Sequence, residues 1–367
     1  MHPSLRCYSL LLTCLLLPLQ ELAASSASHG PLEQLEVGPV VEGERIEVRG
    51  RDARVQLVVS GRHADGRWLD HTRAASYQVA PEGVLRVDED GLIQPLQDGS
   101  ARISATVDGR TAEVAVEVSG VAQPEPINFK NQIVPIFTKL SCNSGGCHGK
   151  ASGQNGFKLS LLGFYPEDDY EFLVKESRGR RVFPAAPEKS LLLTKPIGES
   201  PHGGGKRMER ESHEYRLLAQ WIEQGMPYGS EADPVVTHIE CYPPTRVMGQ
   251  REEQQVTVYA TYRNGRREDV TRMALFEPND TELAEAEATG LVRTLDLSGE
   301  VAIMARYQGQ VATYRATIPL GAPLAQLPPV RNFIDEAVFS KLQVLGIPPS
   351  PVCDDATFLR RGPIYIT

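Results

Sequence analysis

The chain predicts a multidomain protein in which two all-β sandwiches flank a small, mainly α domain. Three observations carry this. Residues 32–120 and 235–320 consist of short alternating apolar runs separated by Asp-Gly and Asn-Gly turns, the pattern of short strands in a sandwich. The two stretches repeat each other's motifs in the same order, so one fold is used twice. Between them, residues 125–230 lose the alternation and gain helical spacing, a cysteine pair and many glycines and prolines.

At 367 residues, with 41% hydrophobic and 23% charged, the chain has the composition of a globular protein of two or three domains. A net charge of −9 argues against general nucleic-acid or anionic-membrane binding. Residues 1–27 read as an export signal: Arg6, an apolar run over 7–19 broken by Pro18, then Ala23, Ala24, Ser25, Ser26 and Ala27. That run is too short to span a bilayer and no later one is longer, so the expectation is an exported protein, periplasmic or at the cell surface, with no transmembrane segment once the signal is removed. Cleavage would leave Cys142, Cys147, Cys241 and Cys353.

In the first β region, residues 55–59, 84–87, 101–107 and 112–118 are the predicted strands, separated by Asp65-Gly66, Asp90-Gly91, Asp98-Gly99 and Asp108-Gly109. His63 and His71 have no partner cluster in the sequence and read as solvated loop residues. In the second region Asp65-Gly66-Arg67 is echoed by Asn264-Gly265-Arg266, Asp70-His71-Thr72-Arg73 by Asp269-Val270-Thr271-Arg272, and Gly91-Leu92-Ile93 by Gly290-Leu291-Val292. The shared D-x-T-R segment, the following aromatic (Tyr77, Phe276), the G-L-[IV] strand and the final hairpin resemble bacterial Ig-like domains of group 2. That resemblance implies a spacer or adhesion module, with contacts at the cell surface made through the Ig-like domains.

The middle region opens with Ile133, Ile136, Phe137 and Leu140 at helical spacing, interrupted by Pro135, which predicts a short or kinked helix. Ser212 is placed to cap a later helix whose apolar face is Tyr215, Leu218, Trp221 and Ile222, ended by Gly225 and Pro227. Between these helices lies S-C-N-S-G-G-C-H-G-K, residues 141–150. Two cysteines with His directly after the second is the attachment signature of a c-type haem. Cys142 and Cys147 would each add across a haem vinyl group, and His148 would become the proximal iron ligand. The usual spacer is two residues; here four residues, including Gly145 and Gly146, allow a wider loop. The competing readings of the same residues are a Cys142–Cys147 disulfide and half of a zinc site. His202, Met208, His213 and Met226 are the candidate sixth ligands in this region. Arg178, Arg180 and Arg181 are candidate contacts for haem propionates, the other reading being a solvated face.

Residues 128–229 resemble the cytochrome c-like domain of large exported planctomycete-type proteins. The matching pieces are I-V-P-I-F, C-H-G-K, P-E-K-S-L-L-L and L-L-A-Q-W-I-E-Q-G. The resemblance implies one haem c with its iron, and electron transfer to an unknown redox partner rather than catalysis. In that family a Met-Pro-Pro loop precedes the W-I-x-x-G helix by somewhat under twenty residues. His202 occupies about that position here and is favoured as distal ligand, with Met208 the alternative. The chemically different rival is a cofactor-free surface binding or adhesion protein whose cysteine loop is closed by a disulfide. Residues 330–367 carry a further amphipathic pattern at Ile334, Val338 and Leu342 and resemble the start of the uncharacterised domain that follows in those proteins. The segment departs from the family after F-L-R-R, which gives the expectation of a truncated domain.

Overall fold

The computed structural model describes residues 29–39, 45–122, 126–322, 324 and 327–366. The export signal expected at 1–27 lies outside the described residues.

The first sandwich is built from β1 (Leu32–Gly38), β2 (Arg45–Arg49), β3 (Val55–Gln56), β4 (Val58–His63), β5 (Trp68–Asp70), β6 (Ser76–Ala80), β7 (Leu85–Val87), β8 (Leu92–Pro95), β9 (Gly99–Val107) and β10 (Arg110–Ser119). They pair in the orders β1-β4-β5, β2-β10-β9-β6 and β3-β8-β7. Alternation decides the core: β9 turns Ala101, Ile103, Ala105 and Val107 inward, and β10 adds Val114, Val116 and Val118. The β9–β10 hairpin closes on Asp108-Gly109, both at positive φ (48° and 78°), the two-residue turn whose twist matches the strands.

The second sandwich repeats this strand for strand: β11 (Val236–Tyr242), β12 (Thr245–Val247), β13 (Glu253–Gln255), β14 (Thr257–Tyr262), β15 (Arg267–Asp269), β16 (Leu275–Pro278), β17 (Ala284–Ala286), β18 (Leu291–Thr294), β19 (Gly299–Tyr307) and β20 (Gln310–Ile318). Its orders, β11-β14-β15, β12-β20-β19-β16 and β13-β18-β17, are those of the first shifted by ten strands. The duplication seen in the motifs is therefore a duplication of topology.

Each D-x-T-R segment reaches the other sandwich. Each Asp first caps its own turn: Thr72 N–H donates to Asp70 Oδ1 and Thr271 N–H to Asp269 Oδ1. The second oxygen crosses to the other sandwich. Gln56 N–H donates to Asp269 Oδ2 at 2.7 Å, and Gln255 N–H donates to Asp70 Oδ2. The arginines follow the same exchange, Arg73 reaching Gln255 Oε1 at 3.3 Å and Arg272 reaching Gln56 Oε1 at 2.7 Å. Residue i meets j′ while j meets i′, the rule of a two-fold interface, here realised within one chain.

Between the sandwiches lies a helical segment around its own apolar core. Pro135 does not kink a long helix. It occupies the first turn of α1 (Val134–Lys139), where its missing N–H costs nothing, after a wide turn over Phe129–Ile133. Two short helices follow, α2 (Pro166–Tyr170) and α3 (Leu191–Thr194), and then α4 (His213–Glu223). Ser212 caps α4 as expected, its side chain accepting from Tyr215 N–H at 3.2 Å, and Gly225 closes it at φ +83°. Trp221 is fully buried beside Phe129, and its Nε1–H donates to Pro227 O at 2.8 Å. The segment closes at its base, where Asn128 Nδ2 donates to Asp233 and Asn131 Nδ2 donates to Pro234 O at 3.0 Å.

The C-terminal part forms α5 (Phe333–Leu345) and α6 (Asp355–Ile366). Of the predicted apolar stripe of α5, Ile334 and Val338 are exposed and Leu342 is half-buried, and no residue of this helix is buried. Among the described residues no helix is long and apolar enough to cross a membrane.

Candidate functional site

The loop leaving α1 carries the Cys-Cys-His motif and folds tightly on itself. Cys142 N–H donates to Phe137 O at 2.7 Å, His148 N–H to Cys142 O at 2.9 Å and Gly149 N–H to Ser144 O at 3.0 Å. Asn143 is fully buried at the centre, its Nδ2 donating to Thr138 Oγ1 at 2.9 Å. Gly149 has no alternative, since a Cβ there would lie 2.0 Å from the Asn143 carbonyl oxygen. The G that follows C-H is thus a packing requirement of the wide loop.

This loop walls a cavity of about 580 Å³, a size usual for small-molecule and cofactor sites. Cys142, Cys147, His148, His202 and Met208 all line it, with Ile136, Phe137, Leu159 and Leu218 as part of its apolar wall. The structure so brings together both cysteines, the proposed proximal histidine and both favoured distal candidates. The other two weighed as sixth ligands lie elsewhere: His213 at a crevice beside Arg54, Met226 against the segment's core.

The two histidines are held alike. His148 Nδ1 lies 3.0 Å from Phe157 O, and His202 Nδ1 lies 2.8 Å from Gly205 O. A carbonyl can only accept, so each Nδ1 carries a proton and Nε2 is the nitrogen left to ligate. Their rings are 6.4 Å apart at the centroids and within 9° of parallel. Two metal–imidazole bonds of about 2 Å each, with a ring radius on either side, match that spacing. Burial, opposed by the Phe157 hydrogen bond, keeps His148 below the usual imidazole range, in its neutral ligating form.

Cys142 is desolvated, which pushes its thiol up to about 11, so it is held as a thiol. Cys142 and Cys147 are free and not joined to each other. Among the described residues, no group of three or more His, Cys, Asp or Glu side chains is arranged to hold a metal ion.

The three arginines divide. Arg180 lies on the cavity rim and Arg178 is exposed away from it. Arg181 lines the cavity but is 5% exposed, and its guanidinium donates to Phe172 O at 2.8 Å, to Glu176 O at 3.2 Å and to Gly156 O. It also lies 4.5 Å over the Phe157 ring, whose carbonyl holds His148. Arg181 is thus a brace for the histidine rather than a free cation. Arg207, which is not among the predicted site residues, lines the cavity and is exposed. Its place five residues after His202, in the same glycine-rich loop, was the available signal.

No family model matches the chain, and no curated protein matches it. Among solved structures there is distant similarity to the S-layer protein SbsC, domains 5–6, at 10% identity and a TM-score of 0.30, covering 78% of this chain and 98% of that one. A longer SbsC structure, rSbsC(31-844), gives 10% identity and a TM-score of 0.21 over 80% of this chain, which spans 29% of that structure. A C-terminal 282-residue fragment of intimin, in complex with the intimin-binding domain of its translocated receptor, gives 11% identity and a TM-score of 0.16, covering 79% and 64%.

Proposed function

We propose that the helical segment is a haem c-binding electron-transfer module carried between two Ig-like sandwiches. The observation that carries this reading is the near-parallel pair His148 and His202, 6.4 Å apart at the ring centroids, in one cavity with the thiols of Cys142 and Cys147. The residues fit the group: the imidazoles of His148 and His202 would hold the iron, the two thiols would form the thioether bonds, and Arg180 and Arg207, exposed at the rim, would meet the propionates. Bound haem would supply reversible one-electron exchange at a potential set by its axial ligands and surroundings. The chain's own part is to fix His148 and His202 through Phe157 and Gly205, to brace Phe157 with Arg181, and to exclude water with the apolar wall. Met208, 6% exposed and on the same wall, is read as packing rather than as a ligand. Export to the periplasm or cell surface belongs to the same reading.

The test is the absorption spectrum of protein exported from a host with haem c maturation machinery. Sharp α and β bands in the reduced state and haem retained in acid-acetone are expected. His202→Ala should open the iron to carbon monoxide, while Met208→Ala should leave the spectrum unchanged. A colourless mature protein would overturn the reading.

A second reading is a cofactor-free surface or adhesion module. The share of the chain given to two sandwiches clasped by reciprocal contacts favours it. The same spectrum separates the two.

A further inference from the structure

One cluster lies wholly outside that cavity. On the first sandwich the Nε2 atoms of His63 and His71 face each other at 3.0 Å, with ring centroids 5.2 Å apart. These were expected to be solvated loop residues; His63 is instead buried, because β4 and the turn after β5 fold its ring under His71. His63 Nδ1 lies 2.9 Å from Gly30 O, so Nδ1 carries a proton and donates it there, and the 3.0 Å contact is a hydrogen bond in which His71 Nε2–H donates to His63 Nε2. The backbone is shaped around the pair. A Cβ on Gly61 would fall 2.5 Å from His71 Cδ2 and 2.8 Å from its Nε2.

The second sandwich supplies an internal control. Register makes Tyr262 the counterpart of His63, since each ends its strand opposite the first residue of the outer one. Ala260 pairs with Glu268 as Gly61 pairs with Leu69, and Val270 follows β15 as His71 follows β5. The fold thus needs neither histidine nor the glycine. All three changes occur together in one copy.

We propose that His63 and His71 form a binding site for a divalent transition-metal ion, which replaces the proton shared by their two Nε2 atoms as His71 takes its proton on Nδ1 instead, with solvent completing the coordination. Two imidazole nitrogens on one tetrahedral ion, at bond lengths of about 2.0–2.1 Å, stand about 3.3 Å apart, so only a slight ring rotation is needed. A His63 Nδ1–H donated to a backbone carbonyl is the outer contact that orients metal-binding imidazoles. The neighbouring acids are otherwise engaged: Asp65 with His29 at 2.8 Å and Glu252 with Arg67 at 3.0 Å. Two nitrogen donors favour Cu²⁺ over Zn²⁺.

The test is titration of the full chain, haem-loaded if haem is present, with CuCl₂ and separately with ZnCl₂ by calorimetry. Wild type is compared with His71→Val, which installs the second sandwich's residue, and with His63→Gln. Wild type should bind one equivalent that both variants bind more than about 10-fold more weakly. The Cu²⁺ electron paramagnetic resonance spectrum of that equivalent should show coupling to two imidazole nitrogens. Equal stoichiometry and affinity in all three proteins would overturn the site. So would an equivalent that survives in His71→Val but disappears when Cys142 and Cys147 are changed to Ser, since the ion would then sit in the helical segment.

Discussion

The two sandwiches share a strand order and a clasp, and they differ at one end. In the second, Tyr262 and Tyr307 bring their hydroxyls within 3.4 Å, and Tyr307 O–H donates to Asn131 O at 2.9 Å. That end holds the helical segment. In the first, the positions of Tyr262 and Val270 are His63 and His71, and the position of Tyr307 is Val107. One copy uses the place for docking and the other keeps an imidazole pair there.

The most damaging way to break the likeness is to remove both halves of the clasp. Asp70→Ala with Asp269→Ala leaves the Gln255 and Gln56 N–H groups without acceptors at a buried interface. The pair should cost roughly 2–6 kcal/mol in chemical denaturation, from about 1–3 kcal/mol for each unsatisfied buried group. Small-angle scattering should show the molecule lengthen.

The difference between the copies is sharpened by Gly61→Ala, which gives the first sandwich the residue found in the second. Its Cβ would meet His71 Cδ2 at 2.5 Å and Leu32 Cδ1 at 2.6 Å, so about 1–3 kcal/mol should be lost to overpacking. Adding His71→Val should recover part of that loss. Equal melting temperatures for wild type and Gly61→Ala would show that the glycine is not shaped to the histidine.

The smallest effect expected is in the pH profile of the clasp. Burial raises the Asp269 carboxyl from 3.8 to about 6, against the lowering effect of its hydrogen bonds from Thr271 and Gln56. Between those values the folded protein binds more protons than the unfolded chain, so this group's contribution to stability rises as pH falls from about 6 towards 4. Asp269→Asn should remove that rise, seen as the difference between the two proteins' melting temperatures across the window. Parallel profiles would locate the titration elsewhere.

The sandwiches were legible because alternation, Asp-Gly turns and the repeated D-x-T-R segment are local signals. What the D-x-T-R segment does was not legible, because its partners Gln56 and Gln255 lie far away in sequence and belong to the other copy. Helix α4 was readable from Ser212 to Gly225, since cap, stripe and stop are all short-range. At the site, Cys142, Cys147, His148 and His202 could be named from spacing and resemblance. The bracing role of Arg181 could not, because its guanidinium is taken up by carbonyls from three separate turns. His63 and His71 misled for a related reason: eight residues apart, they meet only because β4 and β5 form a hairpin.

The reciprocal clasp also sets how force would travel. The first sandwich hands the chain to the helical segment, which returns it to the second sandwich at nearly the same point, where Asn128 and Asn131 meet Asp233 and Pro234. A pull applied to the outer ends therefore passes from sandwich to sandwich through the Asp70–Gln255 and Asp269–Gln56 contacts, in parallel with the helical segment rather than in series through it. The segment is wired as a shunt, and tension on the molecule loads the clasp before it strains the loops around the cavity.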